Sequence, residues 1–264
     1  LIVHHGKLVR GEITEGVECV ARVDVPYRDA LARAHSATHI LHHALHRNVG
    51  RHAEQKGSKV EADRLLFDFT NPKAIPDETL VQIEQDVLAL IAEEQPIRWQ
   101  TVPLAEAREA GAMMLFGEKY PDPCRMVSMG EFSHELCGGT HLTNTSQVKS
   151  FEVVVEESVS TGTRRIEALT GARAEEHRSE TRQLLDRVAE ALQCTASHAL
   201  AATVQLMDEV RRLKKDIAAG KAGEHSDEYA FSGDGPVADV EDYNSVRASV
   251  REITRRLNVA IVDV

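Results

Sequence analysis

Apolar positions along the chain change their spacing several times, and each change predicts an element. Residues 28–46 contain no Gly or Pro and place Leu31, Ala34, Thr38, Leu41 and Leu45 at helical spacing, the signature of an amphipathic helix. Residues 77–94 repeat that stripe with Leu80, Ile83, Val87, Leu90 and Ile91, and Asp77 is the expected N-cap. Residues 1–25 alternate apolar with polar positions around 18–25, which reads as half-buried strands, and further strands are expected at 65–69, 97–102, 126–130 and 151–156, with a short helix over 104–111. Met113 and Met114 read as core filler.

The rear of the chain differs. Residues 172–219 are almost free of helix breakers, and two stripes, Leu184 to Leu192 and Leu200 to Ile217, predict two helices parted near 193–197 and able to pair as a hairpin. Residues 220–236 lose all periodicity and collect Gly, Ser and Asp, as a linker does. A final helix over 243–257 and a strand over 259–262 are expected after it.

Composition narrows the class. A chain of 264 residues has room for one large or two modest domains. It has neither an apolar run of about 18 residues nor a charged-then-apolar leader, so a cytoplasmic protein without a membrane partner is expected. Cys19, Cys124, Cys137 and Cys194 are scattered, which suits a reducing compartment better than a disulfide framework. A formal net charge of −11 excludes a uniformly basic nucleic-acid surface, so any RNA contact must be local. The chain begins without an initiator Met and reads as an excised fragment.

The candidate chemistry is a metal site in two distant pieces. His35 and His39 lie four apart on one helix face and can offer two imidazole nitrogens to one ion. His39 with His43, and His42 with His46, share that spacing, so the helix alone does not choose among them. In Cys137-Gly138-Gly139-Thr140-His141 a thiolate and an imidazole are parted by two glycines that free the backbone to turn both inward. His35, His39, Cys137 and His141 together make a tetrahedral Zn2+ set. Four protein ligands describe a closed structural site, whereas a catalytic zinc keeps a place for water, and both readings stay open. Ser133, His134 and Glu135 are candidates for orienting the ligand imidazoles. The lack of His-Glu-x-x-His, and of a general-base carboxylate beside the helical motif, argues against a zinc protease or amidohydrolase.

Five motifs in order carry a resemblance: Ala34-His35-Ser36-Ala37-Thr38-His39, Gln55-Lys56-Gly57-Ser58, Leu115-Phe116-Gly117-Glu118-Lys119-Tyr120, Glu135-Leu136-Cys137-Gly138-Gly139-Thr140-His141 and Arg164-Arg165-Ile166-Glu167-Ala168. On these the chain resembles, over residues 1–172, the editing domain of alanyl-tRNA synthetase, which is shared with free-standing alanyl-tRNA editing proteins. A weaker likeness to the full synthetase continues to the end.

The resemblance implies an α+β fold of the threonyl/alanyl-tRNA synthetase second-additional-domain type. Residues 1–30 would be part of a small β-barrel subdomain, 31–172 the zinc-containing editing domain, 173–219 a helical hairpin or coiled coil, 220–238 a linker and 239–264 a partial C-terminal domain. The implied reaction is hydrolytic deacylation of Ser-tRNA(Ala) and Gly-tRNA(Ala). Thr38 and Gln55 are the candidates for holding the serine hydroxyl, Cys137 joins them as a residue that would carry the reaction, and Arg164 and Arg165 would contact RNA or substrate.

The implied partners are the 3′ end of tRNA(Ala), the rest of a synthetase chain with its ATP-using aminoacylation domain, and optionally a second copy through the C-terminal region. Leu88 stands where the family has asparagine, and Ser146 and Lys149 depart from its glycine-bearing turn. The rival reading is a tRNA-binding module with a purely structural zinc and no hydrolysis.

Overall fold

The computed structural model describes residues 3–114, 119–220 and 230–257. Helix α1, Val25–Asn48, is the first regular element and begins three residues before the stretch over which it is expected. Asp24 caps it by accepting from the Tyr27 N–H at 3.1 Å, and Pro26 in the first turn surrenders an N–H that has no helical partner there. A hairpin follows, β1 (Gln55–Glu61) with β2 (Arg64–Thr70), then α2 (Asp77–Ala92). The N-cap of α2 is Pro76 rather than Asp77: the Pro76 carbonyl accepts from Thr79 and Leu80, and Asp77 and Glu78 place their charge in the first turn, at the positive end of the helix dipole.

Strand β3 (Ile97–Val102), short helix α3 (Leu104–Glu109), β4 (Cys124–Met129) and β5 (Ser133–Leu136) form a unit in which the three strands pair antiparallel in chain order. Strands β6 (Phe151–Ser160) and β7 (Thr163–Thr170) complete a four-stranded sheet of order β1-β2-β7-β6. Helices α4 (Gly171–Ala191), α5 (Ala199–Ala218) and α6 (Tyr243–Leu257) end the described chain.

The main core lies between α1, α2 and one face of the four-stranded sheet. Leu65, Phe67 and Phe69 alternate inward from β2, and Ile40, Leu41, Leu45, Ile83 and Val87 meet them from the helices. Burying each such side chain contributes about 1.5–3 kcal/mol. Leu88 is half-buried against this core, an apolar role at the position where the resemblance expects asparagine.

Several expectations need correcting. The alternation over residues 1–25 forms no strand: residues 3–24 are exposed and without strand pairing, because an alternating stretch becomes a strand only where a sheet edge receives it. Gln55 opens β1, and the stretch from Phe132 to His141, where no strand is expected, contains β5. Helices α4 and α5 follow one another across a short turn, and Val246, Val250 and Ile253 of α6 share a core with Leu185, Ala189 and Ala199 of the two. The strand expected over 259–262 lies outside the described residues, as do 221–229 of the linker and Leu115–Glu118 of the third motif.

Helix α6 is also tied to the front of the chain by buried charge. Arg247 donates to Glu84 of α2 at 2.8 Å, and Tyr243 donates to Glu152 of β6, whose side chain is fully buried. Both carboxylates are also approached by Arg178 of α4.

A candidate metal centre at the end of β5

The long first helix and the last strand of the small sheet meet at one point. His35 and His39 project from α1, Cys137 follows directly on β5, and His141 ends the glycine loop. One ligand atom from each of the four lies within 4.8 Å of all the others. The Cys137 Sγ is 3.5 Å from His35 Nε2 and 3.4 Å from His141 Nε2. Metal–ligand bonds of roughly 2.3 Å to sulfur and 2.0–2.1 Å to nitrogen, at tetrahedral angles, require a sulfur–nitrogen edge of about 3.6 Å. The donor set and its spacing therefore fit zinc.

The packing explains how α1 settles a choice that its spacing left open. His39 is the candidate ligand nearest to Glu135, its Nδ1 3.1 Å from Glu135 Oε2 against 3.6 Å for His42 Nδ1, although off the straight line of an ideal hydrogen bond. Ser36 partners His141, its hydroxyl 3.2 Å from Nδ1, while also accepting from the Leu142 N–H. Carboxylate and hydroxyl partners of this kind fix which nitrogen faces the metal. Of the three orienting candidates, Glu135 reaches a ligand directly. Ser133 donates to Glu135, and His134 turns away to Ser128.

The charges are arranged accordingly. Burial opposes the ionised form of Glu135, yet His39 and His42 outweigh it and hold the carboxyl well below its usual range. Burial likewise works against His39⁺, and the Glu135 carboxylate overrides it, raising His39 to about 10. Cys137 falls to about 3, because hydrogen bonds from His141 and His35 and the charge on His39 exceed the burial penalty. His141 drops to about 4, because burial and the charges of His39 and His35 outweigh its contact with Cys137. The thiolate that a metal needs is thus formed by the protein itself.

A cavity of about 220 Å³ opens beside three of the four donors, His35, His39 and Cys137, and is bordered also by Thr38, Gln55, Ser58, Met113 and Glu135. Thr38 donates its hydroxyl to the Ala34 carbonyl at 2.9 Å, so it meets the cavity as an acceptor. Gln55 donates to Ser58 at 3.1 Å. Met113 is a wall of this cavity and not simply filler, bound through its backbone to His134 and Leu136. His42, named in the sequence only as an alternative partner of His46, is 3% exposed and borders the cavity, its Nδ1 3.6 Å from Glu135 Oε1 and neither ring nitrogen hydrogen-bonded. Its place one turn beyond His39 was the available signal.

Arg164 and Arg165 are elsewhere. As neighbours in β7 they point to opposite faces of the sheet. Arg164 pairs with both oxygens of Glu156, and Arg165 with both of Asp68, at 2.6 and 2.8 Å. Neither borders the cavity.

Comparison with known proteins meets this geometry. Residues 124–167 match the family model of the threonyl and alanyl tRNA synthetase second additional domain, which includes Cys137 and His141. Over its whole length the chain is 71% identical to alanine-tRNA ligase of Rhodopirellula baltica, of which it spans 28%. The chain belongs with the alanine-tRNA ligases. It is 42% identical to that of Nitrosomonas eutropha across 81% of the chain and 37% identical to that of Idiomarina loihiensis across 96%, covering 25% and 29% of those relatives. The chain therefore spans under a third of the curated relatives it matches. No helix among the described residues is long and apolar enough to cross a membrane.

Proposed function

We propose that this segment hydrolyses the ester between a wrong amino acid, serine or glycine, and the terminal ribose of tRNA(Ala), with zinc held by His35, His39, Cys137 and His141. The observation that carries the reading is the juxtaposition of that donor set with a small polar cavity, in a chain whose relatives are alanine-tRNA ligases. Zinc, when bound, would supply a divalent charge that organises the loop and polarises an ester oxygen.

The chain's own residues would do the selecting. Thr38 offers an acceptor to a serine hydroxyl, and the Gln55 carbonyl, whose amide nitrogen is engaged by Ser58, offers a second. Alanine in the same place would leave both unpaired, and a site built to bond a hydroxyl can reject its absence by roughly 10⁴–10⁵; this pair selects serine, and glycine, which has no hydroxyl, is not selected by it. Water adds its oxygen to the acyl carbon, the ribose oxygen leaves with the proton, and free amino acid and uncharged tRNA result. Glu135 and Ser36 keep the ligand imidazoles in register throughout.

Deacylation of Ser-tRNA(Ala) by the chain, measured beside Cys137→Ala with zinc content determined for both, tests this. Turnover by the wild type, and loss of metal and turnover together in the variant, is expected. A wild type that binds the RNA and leaves the ester intact would instead support a tRNA-binding module with structural zinc.

A further inference from the structure

The register of the small sheet brings an exposed aromatic ring to the face that carries the metal centre. In the antiparallel ladders Trp99 opposes Val127, Thr101 opposes Arg125 and Val127 opposes Glu135. Cys137 continues that ladder, its N–H donating to the Arg125 carbonyl at 3.2 Å. Because side chains alternate along strands, Trp99, Arg125, Glu135 and Cys137 all project from the same face. Two strand spacings, about 10 Å, separate the strand of Trp99 from that of Cys137.

Arg125 joins the two ends of this row. Its guanidinium donates to the carbonyls of Cys137 and Gly139 at 2.6 and 2.9 Å, and its carbon lies 5.3 Å from the centre of the Trp99 ring. Among the described residues no carboxylate pairs with Arg125, so its charge stays available in a chain whose net charge is −11. Trp99 is 48% exposed although it is among the largest apolar side chains present. A flat ring with a cation behind it and solvent before it is built to receive another flat group, and the free charge beside it suits a phosphate.

We propose that Trp99 and Arg125 form a stacking platform for a base of the single-stranded RNA end whose ester enters the cavity. Trp99 carries the base, Arg125 faces its phosphate, and the pair sets the distance from base to ester. The inference rests on the reading of the cavity as a deacylation site. It deepens that reading by assigning the nucleotide contact to β3 and β4 rather than to Arg164 and Arg165, whose charge is already spent on carboxylates.

Trp99 is the sole tryptophan, so its emission reports the site directly. The 264-residue chain is titrated with the RNA trinucleotide CCA and, at matched ionic strength, with inorganic phosphate. Deacylation kinetics are then compared for wild type, Trp99→Ala and Trp99→Tyr. Saturable quenching by CCA and none by phosphate is expected, together with a KM raised roughly 5- to 100-fold in Trp99→Ala at little-changed kcat, and largely restored in Trp99→Tyr.

No quenching by CCA, equal quenching by phosphate, or an unchanged KM in Trp99→Ala overturns the platform. So does emission that shifts with protein concentration alone, which would mean that a second copy covers the ring. Binding is read without turnover, so a chain that stacks CCA but leaves the ester intact sinks only the deacylase assignment. Hydrolysis that proceeds unchanged without stacking sinks only the platform.

Discussion

Gly139 offers the sharpest test of the metal centre. A Cβ added there would lie 1.9 Å from His35 Cε1 and 2.4 Å from Nδ1, whereas one added at Gly138 meets nothing within 4 Å. Carbon atoms rest about 3.5–4.0 Å apart, so in Gly139→Ala the His35 ring must retreat by roughly 1.5 Å or the loop must move as far. Metal sites tolerate about ±0.2 Å, so His35 leaves the donor set. Removing an outer partner of a ligand already costs 10- to 100-fold in affinity, and displacing a ligand should cost at least about 100-fold.

The consequence for stability follows by linkage. At zinc a hundredfold above its Kd the wild type gains about 2.7 kcal/mol, while a variant bound a hundredfold more weakly gains RT ln 2, about 0.4 kcal/mol. Thermal melts with and without zinc, beside a chelator competition, read both quantities. The zinc-dependent rise in Tm should almost vanish in Gly139→Ala and persist in Gly138→Ala. Wild-type zinc affinity in Gly139→Ala, or an equal loss in Gly138→Ala, would refute the placement of His35 against the loop.

Zinc uptake near neutral pH should release about one proton, and it should come from His39: the raised imidazole is still protonated there, while the Cys137 thiol, lowered to about 3, has already ionised. Calorimetry in buffers of differing ionisation enthalpy counts that proton, and a count near zero would contradict the Glu135–His39 pairing. For the metal-free chain, the sign follows from the raised pKa: the stability from this pair is full below about 6.5 and is lost as pH rises towards 10. Arg247→Ala removes the arginine nearest to buried Glu84 and leaves Arg178 at 3.6 Å as its remaining cation, so it should destabilise by up to about 3 kcal/mol in urea unfolding, with Glu84→Gln in the same chain recovering part of the loss. Lys149 holds φ 68° and ψ −94°, a conformation that favours glycine, so Lys149→Gly should raise stability by about 1 kcal/mol, seen as a higher Tm.

Much was legible in the pattern of residues. The helices α1, α2, α4 and α5 follow from local periodicity; α1 and α2 bury the stripe their spacing creates, whereas Val210 and Ile217 of α5 stay exposed and β3 buries only Ile97 and Val102. The four candidate ligands were readable too, since a Cys-Gly-Gly-Thr-His turn and a helical histidine pair are local motifs, and their meeting is borne out by the geometry. Even the departure at Lys149 was visible as a missing glycine, and the backbone carries its cost.

Pairing and register were not readable in this way, because they are agreements between distant stretches. Which histidines of α1 face the loop depends on Glu135, nearly a hundred residues later, and the fate of Arg164 and Arg165 depends on the carboxylates that β6 and β2 bring beside them. Residues 3–24 have the alternation of a strand and no strand partner among the described residues, while Ser133–Leu136, where no strand is expected, becomes one because β4 offers an edge. Local patterning picks out the side chains with useful chemistry and the helix faces on which they lie. Which of them come to share a cavity is set by strand register and buried charge pairing between distant stretches, and neither has a local period.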